Sequence, residues 1–330
     1  MVNGNLIMNE LILRLMLSDW KKALRKIFGL GNMAYEEIMR MRIPLYKSPV
    51  YIGKTGHDLI KQILQNRTPL MITRFGSNEL SAIAHYVRNR TKENKKPYPK
   101  SIIHHLNNNA GFFPPNEKYI DKFCMEFIDC IRNADIVGVW FNDFEDYACN
   151  EYCPSANLVE LGCLEPYHFQ YPWSSILKDK KVLVIHPFSE TINHQYNANR
   201  SLLFSNPEVL PDFRLETLRS VQSIAGLHVP FKTWFDALEY MRGQIAMKDF
   251  DIAIIGAGAY GLPLAKFVKE IGKQAIHLGG ATQILFGIKG HRWETEYKNT
   301  TGKIFNEYWV RPSESEKPKG AEKVENSCYW

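Results

Sequence analysis

Residues 251–280 read DIAIIGAGAYGLPLAKFVKEIGKQAIHLGG, and this stretch limits the fold more than any other. The run 251–255 is apolar after its first residue and shows no alternation, the mark of a strand buried on both faces. A glycine-rich turn leads into 262–271, whose apolar spacing predicts a helix, and 274–278 predicts a second buried strand. A strand, a crossover helix and a strand in so short a span join parallel neighbours. Parallel sheets are covered by helices on both faces, so the chain is committed to an α/β layer structure.

The same alternation recurs upstream. Residues 56–65 predict a helix, 69–75 (PLMITRF) a strand, 78–87 and 117–133 helices, and 134–140 a buried strand. Residues 181–187 (KVLVIHP) form another uninterrupted apolar run, 214–222 alternate as a strand, and 233–247 have helical periodicity. Residues 141–175, rich in aromatics, cysteine and proline, carry no clear period. The expected architecture is a Rossmann-like, mostly parallel sheet flanked by helices, occupying 51–310. Residues 1–50 are expected to form an N-terminal helical extension. Residues 311–330, rich in Ser, Glu, Lys and Pro, are expected to be a flexible tail.

With 330 residues, 45% of them hydrophobic and 23% charged, the chain has the composition of a globular protein with a real core. Its net charge of +6 suits anionic small molecules or an anionic membrane surface. The densest basic stretch, 92–100, is too short for a nucleic-acid arm, so no nucleic-acid partner is expected. The six cysteines read as free thiols in a reducing compartment. Cys149, Cys153 and Cys163 with His168 lack the paired C-x-x-C spacing of structural zinc sites. No apolar run reaches the ~18–20 residues of a membrane span, and 6–16, interrupted by Glu10 and Arg14, is a poor signal peptide. A cytoplasmic location is expected. Residues 5–29 place Leu13, Met16, Leu17, Trp20 and Leu24 at helical spacing, with Arg14, Lys21, Lys22 and Arg25 on the other face. Such a helix packs on its own domain, packs on a partner subunit as in a homodimer, or lies on the inner face of a membrane.

Four stretches hold side chains suited to chemistry. Residues 73–80 (TRFGSNEL) sit where a buried strand turns into a helix, and ligands gather at the carboxyl ends of strands in open α/β sheets. There Arg74 suits a two-pronged grip on a diphosphate. The helix start at Gly76, Ser77 and Asn78 offers N–H groups, and Glu79 is a candidate ligand for a divalent metal. The bland alternative is that Ser77 or Asn78 caps the helix and Glu79 is a favourable first-turn charge. Gly256, Gly258 and Gly261 match G-x-G-x-x-G, with Tyr260 among them. The strand that follows ends in His277-Leu278-Gly279-Gly280, without the acid that binds a ribose in dinucleotide enzymes. At the end of KVLVIHP stand His186, Ser189 and Glu190, the last a candidate general base. Residues 107–114 (NNNAGFFP) combine amides and aromatics suited to sugars, or form an ordinary turn. Nucleophile-elbow, Walker A, H-E-x-x-H and EF-hand patterns are absent.

In their order and spacing these blocks resemble the GT-D-type glycosyltransferases, first met as a domain of unknown function in bacterial glycan and adhesin-glycosylation clusters. Arg74-Phe75-Gly76-Ser77-Asn78-Glu79 matches the family's R-[FI]-G-x-x-E frame, VLVIHPFSETI its second block, and 251–280 its third. The resemblance spans roughly 55–295. It implies transfer of a hexose from a nucleotide-sugar donor, a UDP-sugar first, to a glycan, lipid-linked or glycoprotein acceptor. It also implies a divalent metal, Mn or Mg, at Glu79. One departure bears on that metal: Ser77 stands where the family's Asp-x-Glu has its first acid. By this resemblance Arg74 and Glu79 act at the donor diphosphate. Gly256, Gly258, Tyr260, His277 and Gly279 lie along the donor, and His186 and Ser189 border the reaction centre. A Rossmann oxidoreductase using NAD or FAD, and a non-catalytic component of a polysaccharide-assembly complex, are the alternatives.

Overall fold

In the computed structural model, residues 45–91, 95–324 and 327–330 are described. The helix expected over 5–29 lies outside them. Eight strands make one sheet: β1 (Val50–Tyr51), β2 (Leu70–Arg74), β3 (Ile136–Val139), β4 (Asn157–Glu160), β5 (Lys181–His186), β6 (Arg214–Arg219), β7 (Ile252–Ile255) and β8 (Gln274–His277). The longer helices are α1 (Gly53–Asn66), α2 (Ser77–Asn89), α3 (Lys100–Asn108), α4 (Glu117–Ile131), α5 (Glu145–Tyr152), α6 (Ser189–Leu203), α7 (Trp234–Ala246) and α8 (Gly261–Glu270). Two short ones follow, α9 (Ala281–Leu285) and α10 (His291–Thr295).

The sheet order is β1-β4-β3-β2-β8-β7-β5-β6, and every pairing is parallel. The uninterrupted apolar runs explain the interior: β7 and β8 are buried along their whole length, and β5 everywhere but its first residue. Each sheet face carries its own apolar layer. On one, Phe123, Phe127, Trp234 and Leu264 pack over Met71, Leu183 and Ala253. On the other, Ile60, Trp173, Ile192 and Phe286 pack over Ile72, Val184 and Ile254. Helix α7 starts at a capping box, with Thr233 accepting from Asp236 N–H and Asp236 reaching back to the Thr233 backbone.

From β5 the chain steps outward to the edge strand β6, whereas from β7 it steps the other way, to β8. The crevice between β5 and β7 is therefore a topological switch point. Loops leave it in opposite directions and open a gap at the carboxyl edge of the sheet.

One helix appears where the sequence suggested no element, and one stretch folds differently from expectation. Residues 189–203 form a full helix, α6, although its run NHQYNANR is polar. The stretch from Pro312, expected to be a loose tail, packs on the body: Glu316, Ala321, Val324, Cys328 and Trp330 are buried. Glu316 explains much of this. Its carboxylate accepts from the Glu190 N–H at 2.8 Å, the Thr191 N–H at 3.1 Å and the Thr191 hydroxyl. It fills the N-terminus of α6 as a bound anion would. Glu316→Ala strands those buried donors, so it is expected to lower stability by about 2 kcal/mol. The check is a fall in the urea midpoint at constant slope; an unmoved midpoint would mean that this segment is undocked in solution.

Candidate active site

All strands being parallel, their carboxyl ends share one edge, and a cleft of about 420 Å³ opens there. It is lined by Arg74, Gly76, Ser77, Asn78 and Glu79 after β2, by His186 at the end of β5, by Gly256, Gly258 and Tyr260 after β7, and by His277 and Gly279 at the end of β8. Its size falls in the range of ~300–1,000 Å³ usual for small-molecule sites.

Arg74 stands at the end of β2 with its guanidinium 4.9 Å from the centre of the Trp140 ring and its Nε–H donating to the Phe75 carbonyl at 2.9 Å. The turn at Gly279 takes φ +64, and a Cβ there would come 2.9 Å from Arg74 Nη1, so glycine brings that turn against the guanidinium. Helix α2 is capped by the backbone of Gly76 with no side-chain cap, so neither Ser77 nor Asn78 plays that part. Glu79 is buried and its carboxyl group lies folded back against Gly76, so a Cβ at that position would have to displace it.

The three glycine turns interlock. A Cβ on Gly256 would meet His186 Cδ2 at 2.5 Å, the Gly279 carbonyl at 2.7 Å and Thr282 Oγ1 at 2.7 Å. His186 Nδ1 accepts from the Phe188 N–H at 3.0 Å, which assigns the proton of the neutral ring to Nε2 and makes that atom a donor. His277 Nδ1 lies 3.0 Å from the Thr73 hydroxyl, and its Nε2 side presses on Gly261. Tyr260 is a foundation beneath the cleft: its ring stacks on Trp234 at 4.9 Å and its hydroxyl meets Ser223 at 3.1 Å.

Burial pushes His186 down to about 3, and burial together with the Arg74 charge does the same to His277. Both rings stay neutral in the fold, while the unfolded chain takes up their protons near ~6.5. The unfolded state binds more protons between those values. The stability due to neutral burial is therefore complete above about pH 6.5 and drains away as pH falls toward about 3. His277→Asn, which keeps a partner for Thr73, is expected to flatten the slope of unfolding free energy against pH by about 1.4 kcal/mol per unit between about pH 4 and 6. Urea titrations across that range check it, and an unchanged slope would mean that His277 titrates as in solvent.

Two expected residues stand elsewhere. Ser189 is buried in the first turn of α6 and does not line the cleft. Glu190, read as a candidate base, points its carboxylate to solvent, 3.7 Å from Arg219, and its backbone N–H is held by Glu316. The reason is helical geometry: Ser189 and Glu190 open α6, so the first turn carries Glu190 off the strand edge where His186 ends.

The cleft also recruits residues that the motifs did not point to. Trp140 follows β3 and residues 220–224 follow β6, whereas Asn109 and Ala110 come from the amide-rich block 107–114 that the sequence did single out. Arg292, Trp293, Glu296, Tyr297, Tyr329 and Trp330 form a further wall. The only hint of that wall in the sequence is its aromatic content amid polar residues.

Among the described residues no three His, Cys, Asp or Glu side chains gather as a metal site. Glu79 offers one carboxylate and Ser77 is exposed, whereas a hard cation prefers several oxygens. The residues present fit a divalent ion only if donor phosphate oxygens complete its coordination.

No curated protein matches the chain. Two solved structures are similar to it at a low level. One, reported as showing that the highly conserved domain of unknown function 1792 has a distinct glycosyltransferase fold, shares 12% identity at a TM-score of 0.43, over 83% of this chain and 94% of that one. The other, the selenomethionine-substituted form of domain of unknown function 1792, shares 11% identity at a TM-score of 0.41, over the same shares. The sequence profile of the GT-D fold-like domain matches residues 57–285, well over half of the chain. The chain therefore belongs to the GT-D-like family, the GT-D-type glycosyltransferases that its motifs resemble.

Proposed function

We propose that this cleft binds a nucleotide-sugar, UDP-hexose first, and passes the hexose to a glycan, lipid-linked or glycoprotein acceptor of a bacterial surface. One observation carries the reading: the Arg74–Glu79 turn and the Gly256–Tyr260 turn line the same cleft at a switch point of the sheet. The diphosphate lies between Arg74, the Gly279 turn and the 256–258 backbone, with His186 Nε2–H as a neutral donor. Departure of the diphosphate builds negative charge on it, and fixed donors aimed there lower the barrier. The nucleobase lies toward Asn109 and residues 221–224.

Glu79 has a separate task. Its carboxylate would hold a divalent ion together with the donor phosphates. Such an ion would supply Lewis-acid stabilisation of the leaving group. No carboxylate ends β8; His277 stands there, tied to Thr73, so the ribose-binding acid of dinucleotide enzymes has no counterpart at that position.

The test is a melting-shift screen against UDP-, GDP-, CMP- and dTDP-sugars, with and without manganese, since a ligand of the native state raises the melting point by mass action. UDP-sugars are expected to give the largest shift, enhanced by manganese. Glu79→Ala is expected to remove the manganese enhancement and sugar transfer while keeping the manganese-free UDP shift. A flat response across the panel, or full transfer by Glu79→Ala, contradicts the reading.

A further inference from the structure

The cleft is built from two parts of the chain. Arg74, Glu79, His186, Gly256 and Gly279 all fall within the stretch 57–285 that matches the family. A second part of the wall is Arg292, Trp293, Glu296, Tyr297, Tyr329 and Trp330, all beyond it. The matched stretch thus supplies the turns proposed to grip the diphosphate, and the segment after it supplies a further part of the lining.

That wall is held firmly. The Arg292 N–H donates to the Cys328 carbonyl at 3.1 Å and the His291 N–H to the Trp330 carbonyl at 3.2 Å, so residues 328–330 are tied to the start of α10. Gly280 allows Tyr329 to lie close over the Gly279–Gly280 turn, since a Cβ there would be 2.7 Å from Tyr329 Cε1. The Arg292 guanidinium lies 5.3 Å from the Tyr329 ring centre, Tyr329 and Trp330 meet edge to face at 5.8 Å, and Trp293 tilts toward Tyr329 at 6.2 Å. Tyr297 remains 45% exposed at the rim.

Two polar atoms here are buried without a partner among the described residues: Trp330 Nε1, a donor in this wall, and Gln283 Oε1, an acceptor beside it in the matched stretch. Both residues line the cleft, and Trp330 is 5% and Gln283 0% exposed. Buried polar groups are normally paired, and leaving one unmade costs about 1–3 kcal/mol. Rigid aromatic faces, a charged pair at Arg292 and Glu296, and a buried donor and acceptor match a sugar ring, which has an apolar C–H face and a rim of hydroxyls.

We propose that residues 292–297 and 329–330 form a saccharide subsite, where the acceptor's terminal pyranose stacks on the aromatic wall facing the donor. This rests on the transferase reading for its role in catalysis, but binding of a saccharide is measurable without it. The experiment takes the full chain, with and without saturating UDP, and titrates methyl glucoside, methyl galactoside and their N-acetyl forms by saturation-transfer NMR. The variants are Tyr297→Ala, at an exposed site that spares the core, and Tyr329→Ala.

At least one glycoside is expected to bind. Each variant is expected to weaken it by about tenfold or more while leaving UDP affinity within about twofold. Saccharide binding without any UDP binding would keep the subsite and remove the transferase reading. No glycoside bound by the wild-type chain, or a loss of UDP affinity in the tyrosine variants as large as the loss for the glycoside, would overturn the subsite; the second result would assign the wall to the nucleotide.

Discussion

Arg74→Ala is expected to weaken UDP binding by about a hundredfold, because a charge-assisted contact to phosphate is worth about 1.5–3 kcal/mol and here has no second arginine beside it among the cleft residues of the matched region. Transfer should fall further, since the same group meets the charge that grows on the leaving diphosphate, and losing one such donor costs about 10²–10³ in rate. Arg74→Lys separates the two contributions. A lysine restores the charge but not the planar fork, so binding should recover in part and turnover far less. The fold should survive both changes: Arg74 is only half-buried and its Nε–H hydrogen bond runs to its neighbour's carbonyl. Calorimetric titration with UDP, paired with a thermal melt, reads the outcome. Wild-type affinity in Arg74→Ala would remove this residue from the donor site.

The second large effect is steric. Gly256→Ala places a methyl group within 2.7 Å of three groups at once, from the ends of β5 and β8 and from α9. None is the free end of a flexible chain, so the strand ends must part. Overpacking of this kind costs about 1–3 kcal/mol, and the top of that range is expected here, together with loss of UDP binding as the turns separate. Gly243→Ala is the matched control. Gly243 lies inside α7 and an added Cβ meets nothing within 4 Å, so the exchange should stabilise the helix by up to ~1 kcal/mol. Denaturant unfolding of the pair checks both signs. Equal stability of Gly256→Ala and the wild type would contradict the close approach of the three turns.

The parts of the fold that were legible in the sequence are those set by local rules. KVLVI and DIAII are apolar without interruption because β5 and β7 lie inside a parallel sheet, and the expected strands 69–75, 134–140 and 274–278 contain β2, β3 and β8. The short strands β1 and β4 escaped, the latter lying in the aromatic and cysteine-rich stretch where neither period shows. Helix α6 escaped because only Ile192, Gln195, Tyr196 and Leu203 of its later turns are buried, too sparse an apolar face to register.

At the site, strand-end position was a good guide to what lines the cleft, because every parallel strand delivers its last residue to the same edge. It failed for Glu190, one residue into a helix, and it was blind to Glu316, whose contact with Thr191 spans 125 positions. Composition misled in the same way over 311–330. Ser, Glu, Lys and Pro dominate the count, yet the docking depends on a few anchors, Glu316, Val324, Cys328 and Trp330. A long-range partner leaves no trace in local sequence.

The most direct measurement is an experimental structure of the full chain with UDP bound in the presence of manganese. It should place the diphosphate between the Arg74 guanidinium and the 256–258 turn, with its oxygens about 3 Å from donors of both. A diphosphate resting on only one of those turns, or outside the crevice between β5 and β7, would contradict the assignment of this cleft as the donor site.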